Sequence, residues 1–246
     1  MKGLRRQLAL GALLIALSLG IYALQIRLFH AERDTFFYLF QDLAFVPIQV
    51  LLVTVIVDQV LRLREKMAML NKLNMVIGVF FSEVGNRLLR SFSGFDRDFD
   101  QFRQGLIVTK DWTDQNFRQA AQAVRAYEHR PDHSRGDLNE LKAFLSSKRD
   151  FLLRLLENQN LLEHESFTDL LWAVFHLTEE LDARDDLARL TRSDGEHIAG
   201  DIRRASVLLV AEWLAYMKHL KNEYPYLFSL ALRTSPFDPD ASVTVK

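Results

Sequence analysis

The residues best placed to do chemistry are His176 and Glu179, in the stretch NLLEHESFTDLLWAVFHLTEELDAR. Three residues apart on a helix, an imidazole and a carboxylate can converge on one metal ion, or the carboxylate can orient the ring. A di-iron bundle would also require Glu-x-x-His on two helices and further glutamates on two others, and the sequence contains no Glu-x-x-His. An acid–base pair would need a nucleophile or cofactor motif nearby, and none is present. No catalytic residue, metal or cofactor is therefore expected. His176 and Glu179 stand as the metal candidates, and with Trp172 they read more simply as a docking face. His129 and His133, in the loop HRPDHSRG, have no third fixed ligand and read as a solvated turn.

A second polar pair lies in an apolar setting. Asp42 and Gln49 are seven residues apart, hence on nearly the same helical face, with Pro47 between them. A carboxylate inside hydrocarbon costs at least ~2.5–3.5 kcal/mol and usually has a function, so the two could form a pore or ion-binding stripe. The alternative makes residues 35–42 an interfacial turn that leaves Asp42 wet.

The elements that must carry these residues are helical. Five Pro and ten Gly in 246 residues favour long helices, and 49% hydrophobic content can fill a substantial core. The formal net charge of −1 gives no pull toward nucleic acid. The absence of cysteine excludes disulfides, zinc ribbons, Cys-held iron–sulfur clusters and thiol nucleophiles. Phosphate-binding loops, kinase motifs, nucleophile elbows, His-Glu-x-x-His and EF-hand patterns are also missing, so an enzyme is not expected.

Residues 8–26, LALGALLIALSLGIYALQI, carry no charge and match the ~20 residues that a helix needs to cross a bilayer. The length of this run and the lack of an A-x-A site favour an uncleaved anchor over a signal peptide. Residues 36–61 form a second run, opened by aromatics suited to an interface. Basic residues precede the first span (Lys2, Arg5, Arg6) and follow the second (Arg62, Arg64, Lys66, Lys72). The positive-inside rule then puts both termini in the cytoplasm of a plasma-membrane protein. The expected domains are a transmembrane hairpin over 1–61, a cytosolic helical bundle over 62–235 and a flexible tail over 236–246.

With no Pro between Pro47 and Pro131, the second span is expected to run on into the cytosol. Met67, Leu70, Asn74, Ile77, Phe81 and Val84 keep a 3–4 spacing that reads as a heptad seam between copies, with Asn74 setting register. A second stripe in LNMVIGVFFSEVG makes Met75–Phe81 apolar nearly all round, as in a helix wrapped by its own bundle. Gly78 and Gly85 would permit close approach. Further helices are expected after Gly94 (Phe95, Phe99, Phe102 and Leu106 inward), over 113–128, from Asp137 to about 158, from Ser166, from Ser193 to about 222, and from Pro225.

ENQNLLEHESFTDLLWAVFHLTEEL, YPYLFSLALRTSPFDP and LNMVIGVFFSEVG resemble an uncharacterised group of bacterial and archaeal membrane proteins with two spans and a helical cytosolic part. The resemblance covers most of the chain and implies architecture alone, with no functional residue carried over. The reading is thus an all-α membrane protein whose self-associating cytosolic domain is a regulatory scaffold. Its partners would be the bilayer, other copies and a cytosolic protein, with no nucleic acid. An oligomeric channel lined by Asp42 and Gln49 is the alternative, and a metal-binding bundle the third reading.

Overall fold

The computed structural model describes residues 2–29, 32–162 and 164–244, with side-chain detail outside 2–11, 29, 32–33, 66, 68–72, 100–101 and 162. It is all-helical, and among the described residues there is no β-strand. The helices are α1 (Lys2–Phe29), α2 (Glu32–Phe80), α3 (Asn86–Phe95), α4 (Phe99–Gln104), α5 (Asp114–Ala126), α6 (Leu138–Leu156), α7 (Gln159–Leu162), α8 (Glu165–Asp182), α9 (Arg192–Glu223) and α10 (Pro225–Arg233). The chain divides into two compact units, Met1–Lys66 and Met67–Lys246.

In the first unit, the leucines, isoleucines and phenylalanines described from Leu13 to Leu63 are exposed, apart from the half-buried Ile26. Residues Asp34–Glu65 are long and apolar enough to cross a membrane, with a mean hydropathy of 2.1 in their most apolar stretch and none of it buried; Ala12–Leu28 is a shorter apolar run. Because α2 starts at Glu32, residues 35–42 are helical and the expected interfacial turn is absent. Pro47 lies inside the helix.

The second unit is built on α8, α9 and the end of α2. α8 and α9 form a hairpin, antiparallel because a short connection joins them. α6 packs on α8, and α5 and α10 pack on α9. The end of α2 passes through a π-helical turn, Phe81–Gly85, into α3. At its start, consecutive aromatics about 100° apart on the helix meet different neighbours: Phe80 meets Phe167 of α8 edge-on at 5.2 Å, while Phe81 stacks on Tyr216 of α9 at 5.1 Å. Gly78 makes room for Tyr216, whose hydroxyl would lie 3.0 Å from a Cβ there.

Ile77, Phe81 and Val84 are accordingly buried in their own chain, with exposures of 2%, 1% and 0%. That part of the expected seam between copies is filled by the chain's own aromatic core. Asn74 faces His219 of α9, its Nδ2 3.2 Å from the ring Nδ1. Met67 is exposed, and Leu70 falls outside the residues whose side chains are described. The wrapping of Met75–Phe81 is incomplete, since Met75 and Val79 remain exposed.

Caps fix several helix starts. Thr113 and Asn116 form a reciprocal capping box, Asp137 accepts from the Glu140 N–H at 2.9 Å, and Pro225 occupies the first turn of α10. Two caps fall earlier than the expected Ser166 and Ser193. The His164 ring accepts from the Phe167 N–H, and the Thr191 hydroxyl accepts from the Asp194 N–H, so each helix gains residues at its start. The break expected at Gly94 lies at Asp96, where the chain turns extended and pairs with Pro131. The tail expected to be flexible from 236 is held at its start by Phe237, buried against Trp213 with ring centres 4.7 Å apart.

Candidate functional site

The α8–α9 hairpin brings together polar side chains that are separated in sequence. Arg184, just beyond α8, builds the corner. Its guanidinium donates to Glu180 one turn back, at 2.6 Å, and grips Asp194 in the first turn of α9 through Nε at 3.1 Å and Nη2 at 2.6 Å. Lys142 of α6 donates to the Arg184 carbonyl at 2.7 Å, tying the corner to a third helix. Hydrogen bonds from Arg184 hold the Glu180 and Asp194 carboxyls below the usual carboxylate range, and the Arg184 guanidinium is correspondingly raised.

Above this corner lie two histidine–carboxylate pairs, each spaced i, i+4: His176 and Glu180 on α8, and His197 and Asp201 on α9. His176 Nε2 is 3.6 Å from Asp201 Oδ2 and 3.8 Å from Glu180 Oε1. His197 Nε2 is 3.4 Å from the same Asp201 oxygen and 3.5 Å from Glu180 Oε2. One donor atom each from His176, His197 and Asp201 lie within 4.8 Å of one another. Asp201 is 2% exposed; its Oδ1 accepts from Arg204 at 3.1 Å, while its Oδ2 has no hydrogen-bond partner. Two imidazoles and two carboxylates in this arrangement are of types that ligate divalent transition metals.

Of the residues expected from sequence, His176 enters this cluster and Glu179 does not. Glu179 turns to Arg149 of α6, which donates to it at 2.9 Å and 3.1 Å. Its neighbour Glu180 takes the inward position. Glu180 shares the polar face of the helix with His176 in sequence, but His197 and Asp201 were not expected at the site; their signal was the repeated spacing, His-x-x-x-Glu on one helix and His-x-x-x-Asp on the next. Trp172 is exposed and lines a surface cleft of about 450 Å3 with Asp169, Ala173, His176, Arg204 and Leu208.

Asp42 and Gln49 lie in α2 of the first unit. The Tyr22 hydroxyl of α1 donates to Asp42 Oδ2 at 3.4 Å, so this carboxylate has a partner in its own hairpin.

Two further features lie in the second unit. His129, expected in a solvated turn, is instead buried: its Nδ1 is 3.4 Å from Asp96 Oδ2, and Tyr127 donates to Asp96 Oδ1 at 3.2 Å. Burial lowers the His129 pKa, against the raising effect of Asp96, and burial beside Asp96 raises that of Tyr127. An apolar cleft of about 470 Å3 lies between the end of α2, α9 and α10, lined by Met75, Val79, Tyr226, Leu227 and Leu230, with His219 and Asn74 as polar members.

Residues 69–233 match the family described as "Uncharacterized protein MJ1433, C-terminal helical domain", and residues 2–61 match "MJ1433, N-terminal helical domain". The chain is 44% identical to the uncharacterized protein MJ1433 of Methanocaldococcus jannaschii over 234 residues, which is 95% of this chain and 94% of that protein. No solved structure matches. With both helical domains matched and a relative this similar along almost the whole length, the chain belongs to the MJ1433 family of uncharacterised proteins.

Proposed function

We propose that the chain is a non-catalytic, membrane-anchored helical module that pairs with a second copy through the face shared by α2 and α10. Anchoring is supported by the apolar stretch in Asp34–Glu65 and by the exposed leucines, isoleucines and phenylalanines of the first unit, a surface that water disfavours and hydrocarbon accepts. The basic residues before the first apolar run and after the second support cytoplasmic termini.

The pairing reading rests on one observation. The exposed large hydrophobic residues described in the second unit are Met67, Met75, Val79, Trp172, Tyr226, Leu227, Leu230 and Val243; five of these eight line the single cleft between α2 and α10. Clustering of this kind marks an interaction surface, whereas scattered apolar residues do not. A copy confined to the same membrane meets this face at high effective concentration, and a two-fold pair presents the same patch from both sides. Trp172 supplies a separate aromatic anchor for a cytosolic partner. The channel alternative gains less support, because Asp42 is already engaged by Tyr22.

The native chain has no cysteine, so single cysteines report cleanly. Oxidative cross-linking in membranes is expected to give dimers from Val79→Cys and Leu230→Cys. The exposed Arg189→Cys, at the end of α9 opposite to the cleft, and the buried Ile77→Cys should give none. Equal dimer from Arg189→Cys, or none from either cleft site, would refute the pairing.

A further inference from the structure

We propose that His176, Glu180, His197 and Asp201 form a binding site for a divalent first-row transition metal of the zinc type. The inference is independent of the membrane and pairing readings, because it rests on the α8–α9 hairpin alone.

The spacing of the donors fits a bound ion. Ligands about 2.0–2.1 Å from a tetrahedral zinc stand about 3.3–3.4 Å from one another. The four nitrogen-to-oxygen separations in the cluster are 3.4, 3.5, 3.6 and 3.8 Å. A cluster held together by its own hydrogen bonds would close to about 2.7–3.2 Å. His176, His197 and Asp201 each offer one atom within 4.8 Å of the others, as three ligands of one ion would, while Glu180 presents a different oxygen to each ring.

Asp201 has an unmet charge. Its side chain is 2% exposed, and Oδ2 faces both imidazole nitrogens without a hydrogen bond. A buried carboxylate oxygen without a partner is costly unless something charged satisfies it. Arg204 does not do so, since it binds the other oxygen. A metal between the two rings would.

The surroundings fit the same assignment. Arg204 fixes Asp201 and Arg184 fixes Glu180, so each ligating carboxylate is oriented by an outer hydrogen bond. The histidine side chains are 45% and 53% exposed, which leaves an entry path from solvent. The chemical class follows from the donors. Imidazole favours zinc, iron, nickel or copper, whereas calcium and magnesium take all-oxygen shells.

The test uses full-length protein purified in detergent without a polyhistidine tag, stripped with chelator and titrated calorimetrically with Zn2+. Co2+ then serves as a visible-absorption probe of the coordination geometry. One equivalent of zinc per chain is expected, with a rise in melting temperature as zinc is added. Asp201→Asn should weaken binding by tenfold or more, on the order of a ligand or outer-shell loss. Because Asp201 is buried, His197→Gln provides a second variant at a half-exposed position; it should keep the wild-type helical content and still lose at least about tenfold in affinity. Wild-type protein that takes up no zinc and gives no cobalt spectrum would overturn the site. So would folded His176→Gln and His197→Gln variants that bind zinc as tightly as wild type.

Discussion

His176 Nε2 on α8 and Asp201 Oδ2 on α9 lie 3.6 Å apart, too far for a good hydrogen bond and close enough to share a ligand. The two residues are 25 positions apart in sequence and meet because Arg184 locks the hairpin corner between them. Glu180 and Glu179 are adjacent, yet Glu180 faces this cluster and Glu179 faces Arg149. Exchanging the two in turn therefore separates a ligand from a surface ion pair. Zinc titration of Glu180→Gln should show affinity reduced by about tenfold or more, and Glu179→Gln should stay within about twofold of wild type. Loss in Glu179→Gln alone would point back to the i, i+3 pair.

Glycine substitutions test the packing of the second unit. A Cβ at Gly85 would lie 2.5 Å from the Phe81 ring, inside the π-helical turn, whereas one at Gly94 meets nothing within 4 Å. Gly85→Ala should cost about 1–3 kcal/mol through forced repacking. Gly94→Ala, inside α3, should stabilise by up to ~1 kcal/mol through helix propensity. Thermal melts of the two variants should move in opposite directions.

Phe237 fills a slot against Trp213 and Phe99 after the last helix. Phe237→Ala should lower stability by about 3–5 kcal/mol, as for other buried aromatics. Denaturant melts measure this; a loss under ~1 kcal/mol would mean that the tail contributes little to the fold.

The buried His129 and the half-buried His219 predict an acid sensitivity. Burial lowers the pKa of His129 and of His219 below the ordinary value near 6.5, so protons bind the unfolded chain first as pH falls. Stability from these groups is fully present above about pH 6.5 and declines as pH drops from there toward their folded values. Each contributes a slope of at most about 1.4 kcal/mol per pH unit. Asp96, Tyr127 and Arg203 surround His129, and the carboxylate partly offsets the effect. Melting temperatures from pH 8 to pH 5 should fall, and His129→Gln should flatten the curve; a profile unchanged by that substitution would contradict the assignment.

Helix positions and their inward faces were legible in the sequence because they depend on local spacing. Leu138, Leu141, Leu145, Leu152 and Leu155 repeat at helical period, and all five are buried on α6. Asp137 and Pro225 likewise mark helix starts through chemistry confined to one turn. What the sequence alone determined is thus an all-α chain with an apolar N-terminal part and a helical bundle, plus His176 as a residue of interest. Tertiary structure decided the rest. A seam of apolar residues carries no label for its partner, and the packing of α9 and α8 against Phe81 and Phe80 consumed Ile77, Phe81 and Val84 while leaving Met75 and Val79 bare. Adjacent residues on a helix point about 100° apart. The rotation of α8 against α6 and α9 therefore selected Glu180 over Glu179, and the register of the hairpin brought Asp201 to His176.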